Sequence, residues 1–261
     1  MNTRKIIRRH PIVLFFIIFT ATLVYAGNPA NINTLCIMKN GNDVLLNWPS
    51  VTHNIYNTPL TIHHYNVYRG TSPNFVPDMA TGSNRIAQPV EPSYTDAGAL
   101  LSEESFFYYV TAVDSGGLES LVASNIAYKI RLELELDGSQ ADTAWISLPY
   151  NSGYAKASDL GGEAEGILQV IKWDAETQGE LIWDQQAGTG SDFPILPGEA
   201  CALVLSGPTT LNLVGSYQPV TMHLTYNATN FNRFWVSLPY PSIYTDAQAL
   251  AEDIQGVTKV S

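Results

Sequence analysis

The chain contains only two cysteines among its 261 residues, Cys36 and Cys201. Two cysteines form at most one disulfide, so a small fold held together by several disulfides is excluded. We expect two buried, unreactive thiols, and a single disulfide between two domains is the alternative. Stability must come from apolar cores, and the 5 tryptophans, 14 tyrosines and 9 phenylalanines supply large side chains for them.

Basic residues are also scarce, with 13 lysines and arginines against 24 aspartates and glutamates. Four of the basic residues, Arg4, Lys5, Arg8 and Arg9, precede every acidic residue, and without them the net charge falls from −11 to −15. Binding to nucleic acid requires basic side chains that displace counterions from phosphates. We therefore expect no nucleic-acid partner, and we interpret the acidic surface as a solvated one.

Long hydrophobic runs are absent except for Ile12–Val24, which follows the basic N-terminus. This run is shorter than the roughly 20 residues that a membrane-spanning helix needs. Val24-Tyr25-Ala26 then has the pattern of a cleavage site before Gly27. Residues 1–26 are thus predicted to be a Sec-type signal peptide, with an uncleaved membrane anchor as the alternative. The mature protein is expected to be extracellular or at the cell surface, without membrane contact.

Sequence motifs for catalysis are missing as well. There is no phosphate-binding glycine loop, no His-Glu-x-x-His zinc motif, no nucleophile elbow and no Cys-His pairing. Asp174 and Asp184 end two predicted strands. If the strands brought them together, the two carboxylates would suit a glycosidase, but a role in capping turns is the favoured interpretation. With Glu176, Asp192 or Glu199 they could supply oxygens for calcium, although no ordered ligand spacing supports this.

Two adjacent histidines, His63 and His64, are the other candidate metal ligands. Neighbouring residues of a strand point to opposite faces, so we expect that they cannot bind one ion together. The sequence therefore predicts no catalytic residue, no metal and no cofactor, and a protein that is not an enzyme.

The most informative feature that is present is an internal repeat. Residues 145–160 read WISLPYNSGYAKASDL, and residues 235–250 read WVSLPYPSIYTDAQAL, with nine of the sixteen positions identical at an offset of 90. A repeat of this kind marks a structural unit, which begins near Arg131 and begins again near Thr221. The predicted domains are the signal peptide 1–26, a first domain 27–130, copy 1 of the unit 131–220, and an incomplete copy 2, 221–261.

Each repeat unit is predicted to begin with a buried Trp-x-Ser-Leu strand that Pro-Tyr terminates. In copy 2 a helix follows, with Thr245 and Gln248 forming a capping box and Gly256 ending the helix. Its apolar stripe comprises Ala247, Leu250, Ala251 and Ile254. Copy 1 is expected to have a shorter helix because of Gly161-Gly162. Copy 2 lacks counterparts of the later strands, so we expect a truncated unit; docking of this segment onto copy 1 and a closed unit whose two ends share the motif are the alternatives.

Short strands with turns between them fill both domains. In the first domain the alternating residues Leu35, Ile37, Val44, Leu46 and Trp48 flank the turn signal Asn40-Gly41-Asn42. The other predicted strands are Ile62–Arg69, Asn84–Ala87, Ser93–Thr95, Phe106–Val113, a return over Glu119–Ile130, and, in copy 1, Ile167–Trp173, Leu181–Trp183, Ala200–Leu205 and Leu211–Val214. This spacing is typical of an all-β fold, and in the first domain of a β-sandwich.

The first domain resembles the fibronectin type III family of bacterial secreted proteins. The resemblance rests on Trp48, YNVYRGTSP at 65–73, SYTDAG at 93–98, FFYYVTAVDSGGLES at 106–120 and SNIA at 124–127. It implies a β-sandwich that serves as a non-catalytic spacer or binding module. One position departs from the family, because Phe106 stands where the tyrosine of its tyrosine corner is expected, and it lacks the hydroxyl for that hydrogen bond.

Aromatic side chains are the candidate ligand contacts, since flat rings can stack on the apolar faces of sugars. The candidates are Trp173, Trp183, Tyr150 and Tyr154, whereas recurrence of Trp145 and the two tyrosines in the repeat favours a role in the core. The first hypothesis is a secreted, non-catalytic spacer or binding module whose partner is a polysaccharide or another surface protein. The second is the carbohydrate-binding accessory region of an extracellular hydrolase.

Overall fold

The computed structural model describes residues 27–122, 126–135, 142–217, 232–238 and 246–254. The predicted signal peptide and its cleavage site lie outside these residues. Within them the fold is all-β with short helices, as the strand pattern predicted. No helix of the described part is long and apolar enough to cross a membrane.

Seven strands form a first β-sandwich from two sheets. The strands are β1 (Cys36–Asn40), β2 (Asp43–Asn47), β3 (Ile62–Gly70), β4 (Arg85–Ala87), β5 (Ser93–Asp96), β6 (Phe106–Asp114) and β7 (Ala127–Leu134). One sheet has the order β1-β2-β5, and the facing strands have the order β4-β3-β6-β7. The turn between β1 and β2 contains Gly41 with φ of 61°, a conformation that glycine adopts without steric cost.

Residues on the inward faces of both sheets form the first core. The alternation of the strands places them there, while Phe107 of β6 and Tyr128 of β7 form a separate buried cluster outside this core. The residues of the first core include Leu35, Val44, Leu46, Trp48, Tyr65, Val67, Tyr108 and Val110. The strands predicted from the sequence in this domain are confirmed, except that the return strand predicted over Glu119–Ile130 begins only at Ala127 and continues to Leu134.

Seven further strands and one short helix form the second sandwich. They are β8 (Asp142–Ser147), β9 (Asn151–Ser152), α1 (Ala157–Gly161), β10 (Ile167–Asp174), β11 (Gly179–Asp184), β12 (Thr189–Gly190), β13 (Ala200–Leu205) and β14 (Thr209–Ser216). A five-stranded sheet has the order β12-β11-β10-β13-β8. Its inner face packs with α1 and with β14 around a core of Ile146, Leu148, Leu160, Val170, Leu203, Leu211 and Leu213.

The two sandwiches share one sheet, which runs in the order β4-β3-β6-β7-β14-β9. Strand β6 pairs only with Ala127, Tyr128 and Lys129 of β7. Strand β14 pairs with β7 along its whole length, from Ala127 opposite Ser216 to Leu134 opposite Thr209. The predicted domain boundary after residue 130 therefore lies inside a continuous strand, and no linker separates the sandwiches.

Side chains also connect the two sandwiches. Lys39 of β1 forms an ion pair with Glu163, whose other carboxylate oxygen accepts a 2.8 Å hydrogen bond from the hydroxyl of Tyr154. Asn212 of β14 donates through Nδ2 to the backbone oxygen of Leu100 at 3.2 Å. These contacts add to the shared ladder and fix the second sandwich against the first.

The position that departs from the fibronectin type III pattern lies beside a buried charge network. Arg69 donates to both carboxylate oxygens of Asp96, and the Tyr108 hydroxyl donates to the same carboxylate at 2.8 Å. The guanidinium carbon of Arg69 lies 4.3 Å from the ring centroid of Phe106. The Phe106 ring thus makes a cation–π contact with Arg69, and the hydroxyl that Phe106 lacks is supplied to this network by Tyr108.

The helix predicted in copy 2 is present as α2 (Ala247–Asp253), and α1 of copy 1 is shorter, as predicted. The predicted capping box is wrong in its position. Asp246 is the N-cap, and its carboxylate accepts a 2.8 Å hydrogen bond from the backbone N–H of Ala249. Thr245 and Gly256 lie outside the described residues. No described residue of α2 is fully buried; in its predicted apolar stripe Ala247 is exposed, and Leu250, Ala251 and Ile254 are half-buried.

Gly215 of β14 generates a test of this packing, because its Cα lies against Pro149 of the repeated motif. A Cβ at Gly215 would overlap the Pro149 ring and stand 3.0 Å from the backbone oxygen of Asn151. We expect Gly215→Ala to lower the free energy of unfolding by about 2 kcal/mol, measured by urea denaturation. Gly153→Ala is the matched control, since nothing lies within 4 Å of its Cβ position. Equal stability of the two variants would contradict this packing.

Candidate functional site

The outer face of the five-stranded sheet carries one apolar row among polar side chains such as Thr143, Gln169 and Asp184. The strand registers place Trp145, Ala202, Ile171 and Ile182 in one row across β8, β13, β10 and β11. Trp145 is 61% exposed and Ile182 is 38% exposed. Ala202 between them is buried, so the row exposes large apolar side chains at its two ends, as interaction surfaces commonly do.

Three tryptophans meet at one end of this row, and we call them the tryptophan cluster. The ring centroids of Trp145 and Trp235 are 4.2 Å apart at an interplanar angle of 71°, an edge-to-face contact. Trp173 lies 5.9 Å from Trp235 at 31°. The guanidinium carbon of Arg233 stands 5.1 Å from the Trp173 ring centroid, within the range of a cation–π contact.

The cluster brings the two copies of the repeat into contact, because Trp145 and Trp235 are equivalent positions of the motif. The segment 232–238 is held at its start by Gln178. Its side-chain oxygen accepts from the backbone N–H of Arg233 at 2.8 Å, and its amide nitrogen donates to the Arg233 oxygen at 3.3 Å. Gln178 has φ of 56°, in the turn between β10 and β11.

The end of the segment is held by backbone contacts. Val236 forms an antiparallel bridge with Glu199, and the Ser237 N–H donates to the Gly198 oxygen at 2.8 Å. The Ser237 hydroxyl donates to the Leu148 oxygen at 3.4 Å, and Ser237 is fully buried. Of the alternatives for copy 2, docking onto copy 1 is therefore the arrangement of these seven residues.

Charged groups stabilise the residues on which the segment lies. Lys172 of β10 is buried and donates to both carboxylate oxygens of Glu199, at 3.1 and 3.0 Å, and to the Pro194 oxygen at 3.0 Å. Its ammonium nitrogen also lies 5.3 Å from the Phe193 ring centroid. The ion pair holds the side chain of Glu199, whose backbone forms the bridge with Val236.

The four candidate residues from the sequence lie in three places. Trp173 belongs to the tryptophan cluster. Trp183 packs against the core on the opposite face of the same sheet, and its indole N–H donates to the Gln185 side chain at 2.8 Å. Burial, together with the Glu163 carboxylate, raises the pKa of Tyr154, which also packs against that core.

Tyr150, the fourth candidate, lies between the two copies. Its ring stacks on Tyr217 at 6.3 Å and 26°, and its hydroxyl donates to the Ser237 oxygen at 3.4 Å. Tyr150 and Tyr154 both line a cavity of about 140 Å³, with Ile195 and Leu196 opposite. The structure thus brings the two tyrosines to one cavity and separates them from the tryptophan cluster.

The favoured core role for Trp145 is wrong, since this side chain is largely exposed. Its neighbours Ile146 and Leu148 are buried, and alternation along a strand puts Trp145 on the other face. That alternation was the signal that could have identified Trp145. No comparable signal exists for Trp235, whose position depends on a contact between distant parts of the chain.

The predicted carboxylates do not form a pair. Asp174 and Asp184 lie near opposite ends of the β10–β11 ladder, opposite Gly179 and Gln169 respectively. Asp174 accepts from the Thr177 hydroxyl and the Glu176 N–H, which lowers its pKa, and Asp184 accepts from the Ala187 N–H. Both therefore cap turns, as the favoured interpretation predicted.

Of the remaining candidate calcium ligands, Glu176, Asp192 and Glu199, the last two are engaged with lysines. Asp192 pairs with Lys156 at 2.6 Å, and Glu199 pairs with Lys172. Across the described ranges, no three histidine, cysteine, aspartate or glutamate side chains are placed to hold one metal ion.

The expectation that His63 and His64 diverge is wrong. Their Nδ1 atoms are 2.8 Å apart, and the rings meet edge to face at 5.1 Å. The reason is an irregularity in the pairing of β3 with β6 between Ile62 and His64, which turns the side chains toward each other. Gln88 donates to Nε2 of His64 at 2.9 Å, which is consistent with a proton on its Nδ1.

Comparison with known proteins yields similarities of structure only. No protein-family model and no curated protein matches the chain. An Fn3-like protein from Clostridium thermocellum is 24% identical with a TM-score of 0.28, over 39% of this chain and 92% of that structure. The FN1–FN3 domains of chicken CNTN1 are 14% identical with a TM-score of 0.28, over 72% of this chain and 65% of that structure.

Chitinase ChiA74 from Bacillus thuringiensis is 16% identical with a TM-score of 0.21, and the match covers 72% of this chain and 28% of the chitinase. This chain therefore spans less than a third of that enzyme. The all-β assignment follows from the strand order of this protein itself.

The two cysteines provide a test of burial beneath the site. Both are free thiols, so the alternative of a disulfide between domains is wrong. Cys201 is buried as expected, but the expected burial of Cys36 is wrong, since this residue is only half-buried. Burial, and to a smaller extent the charge of Glu199, raises the pKa of Cys201 to about 12, so it stays a thiol at pH 8. We expect Ellman's reagent at pH 8 to label Cys36 alone in the native protein and both thiols in urea. Rapid labelling of native Cys36→Ser protein would contradict this burial.

Proposed function

We propose that this protein is a secreted, non-catalytic modular protein that acts at the cell exterior as a rigid spacer and presents a binding surface. The observation that carries the proposal is the sheet shared by both sandwiches. Modules joined by flexible linkers move relative to one another by default. Here the pairing of β7 with β14 over eight residues removes such a linker, so the second sandwich holds a defined direction.

Other features support an exterior location and a binding role. The basic and then apolar start of the chain, followed by a small-residue cleavage pattern, is typical of secretion signals. The binding surface of the proposal is the outer face of the five-stranded sheet, where Trp145 and Ile182 are exposed. A spacer with such a face can connect a cell surface or a neighbouring module to a polysaccharide or to another surface protein.

Distance measurements between spin labels test the rigid spacer. Thr95→Cys in β5 and Glu180→Cys in β11 place labels on exposed strand positions of the two sandwiches, with Cys36→Ser removing the accessible native thiol. We expect pulsed electron paramagnetic resonance to give a single narrow distribution of the distance between the two labels. Leu132→Pro interrupts the second half of β7 and should broaden it, because proline removes a ladder N–H group. Val90→Pro, at a 70% exposed turn position, is the control that should leave it narrow.

A broad distribution in the protein without these proline substitutions would contradict the rigid spacer. Circular dichroism of each variant shows whether its strands are retained. If Leu132→Pro prevents folding, the width of the distance distribution in the protein without proline substitutions still tests whether the spacer is rigid.

A second candidate function is carbohydrate binding by an accessory region of an extracellular hydrolase. The observation that favours it is the exposed Trp145 ring, which packs against Trp235 in the tryptophan cluster, since aromatic rings pack well on the apolar faces of sugars. The strongly acidic chain would repel acidic polymers, so a neutral polysaccharide is the ligand class that fits.

Affinity electrophoresis in gels that contain soluble neutral glucans or mannans tests this candidate, with sedimentation on cellulose and chitin for insoluble ligands. We expect Trp145→Ala to bind the retained polysaccharide about tenfold more weakly, equal to about 1.4 kcal/mol. Leu101→Ala, which truncates a 68% exposed leucine of the first sandwich, should bind normally. Two outcomes would contradict carbohydrate binding: retention of Trp145→Ala equal to that of the unaltered protein, or no retention of the unaltered protein on any of these polymers. Either would leave the spacer proposal standing.

A further inference from the structure

Segment 232–238 lies on a site whose residues all come from other parts of the chain. Segment 232–238 contacts residues of β8 and β10, and residues of the turns after β8, after β10 and before β13. Its anchors are Trp235, packed against Trp145 and Trp173, and Ser237, whose N–H and hydroxyl donate to Gly198 and Leu148. We define the docking site as Trp145, Leu148, Trp173, Gln178, Gly198 and Glu199.

We propose that this docking site is a specific acceptor for the Trp-x-Ser segment of this chain and that a second copy of the chain can supply that segment. These contacts between chains do not depend on carbohydrate binding.

The segment contacts the docking site in the way that an added β-strand contacts a sheet. Backbone bonds to Gly198 and Glu199 fix the direction and register of the segment and require no particular side chain. Selectivity comes from the side chains at alternate positions. Trp235 meets the edge of another indole, a favourable aromatic geometry, and the buried Ser237 hydroxyl has a carbonyl partner that an alanine would leave unsatisfied.

The other copy of the motif explains why the acceptor takes this segment. Trp145, Ile146 and Ser147 belong to β8 and pair with Ala202, Cys201 and Ala200 of β13. Val236 pairs with Glu199, the residue directly before β13. The consecutive residues 199–202 therefore receive both copies of the motif. The first copy is bound within its own sheet, and the second lies at the surface of the sandwich.

A second chain can make the same contacts because donor and acceptor are separate stretches of sequence. The acceptor lies within 142–205 and the donor within 232–238. Exchange of an identical segment between two copies preserves every contact, which is the basis of domain swapping. Reciprocal exchange would give a closed dimer, and one-way exchange would link chains head to tail.

A peptide of residues 232–238, Asn-Arg-Phe-Trp-Val-Ser-Leu, labelled with fluorescein, tests the acceptor by fluorescence polarisation. The protein partner is the chain from Gly27 onward that carries Trp235→Ala and Ser237→Ala, which weaken its own segment. We expect saturable binding at least tenfold tighter than to the unaltered chain, whose site is filled. A peptide with alanine in place of its tryptophan should bind at least tenfold more weakly.

Trp145→Ala in the same acceptor should also weaken binding at least tenfold, whereas Leu101→Ala, a substitution in the first sandwich, should not. Equal binding of the two peptides, equal binding to the filled and weakened acceptors, or no binding at millimolar peptide would overturn the proposal. Circular dichroism confirms that each acceptor is folded. Spacer rigidity is measured separately, so its failure is distinguishable from failure of the acceptor.

Sedimentation equilibrium tests the supply of the segment by a second copy. The unaltered chain should form dimers or longer assemblies as its concentration rises, and the double variant should remain a monomer over the same range. A chain that stays monomeric at all concentrations would refute exchange between copies. Assembly that persists in the double variant would refute the role of the segment in it.

Discussion

The pairing of β7 with β14 is the interaction on which the rest of the structure depends. Strand β7 closes the sheet of the first sandwich with its first residues and opens the second sandwich with its last ones. The neighbouring residues Leu213 and Val214 of β14 accordingly belong to the cores of the second and first sandwich. Because both cores rest on one ladder of backbone hydrogen bonds, the orientation of the sandwiches is a property of the sheet.

The same sheet positions the candidate site. The second sandwich uses β14 and α1 to cover the inner face of its five-stranded sheet, and its outer face is left for other contacts. Apolar side chains on that face would be unfavourable without a partner. Segment 232–238 covers part of them through Trp235, while Trp145 and Ile182 stay accessible. Binding of a ligand and docking of a strand therefore depend on one physical feature, an apolar sheet face.

Much of the first sandwich was predictable from local pattern, because alternation and turn residues act over a few positions. Gly41 in its tight turn and the buried alternate residues Val44 and Leu46 are examples. The site was predicted only in part. Trp173 was identified, Trp145 was assigned to the core although alternation excludes this, and His63 was expected to diverge from His64. The histidine error arose from a strand irregularity that side-chain sequence does not reveal.

The sequence by itself determined the strands, the turns, the acidic and cysteine-poor character, and the repeat that relates Trp145 to Trp235. These properties depend on composition and on neighbours along the chain. The tertiary structure alone decided that β7 is shared, that the two copies of the motif touch, and that one sheet face stays open. Such features depend on which strands pair across long separations, and the energy of that pairing is not encoded in any single segment.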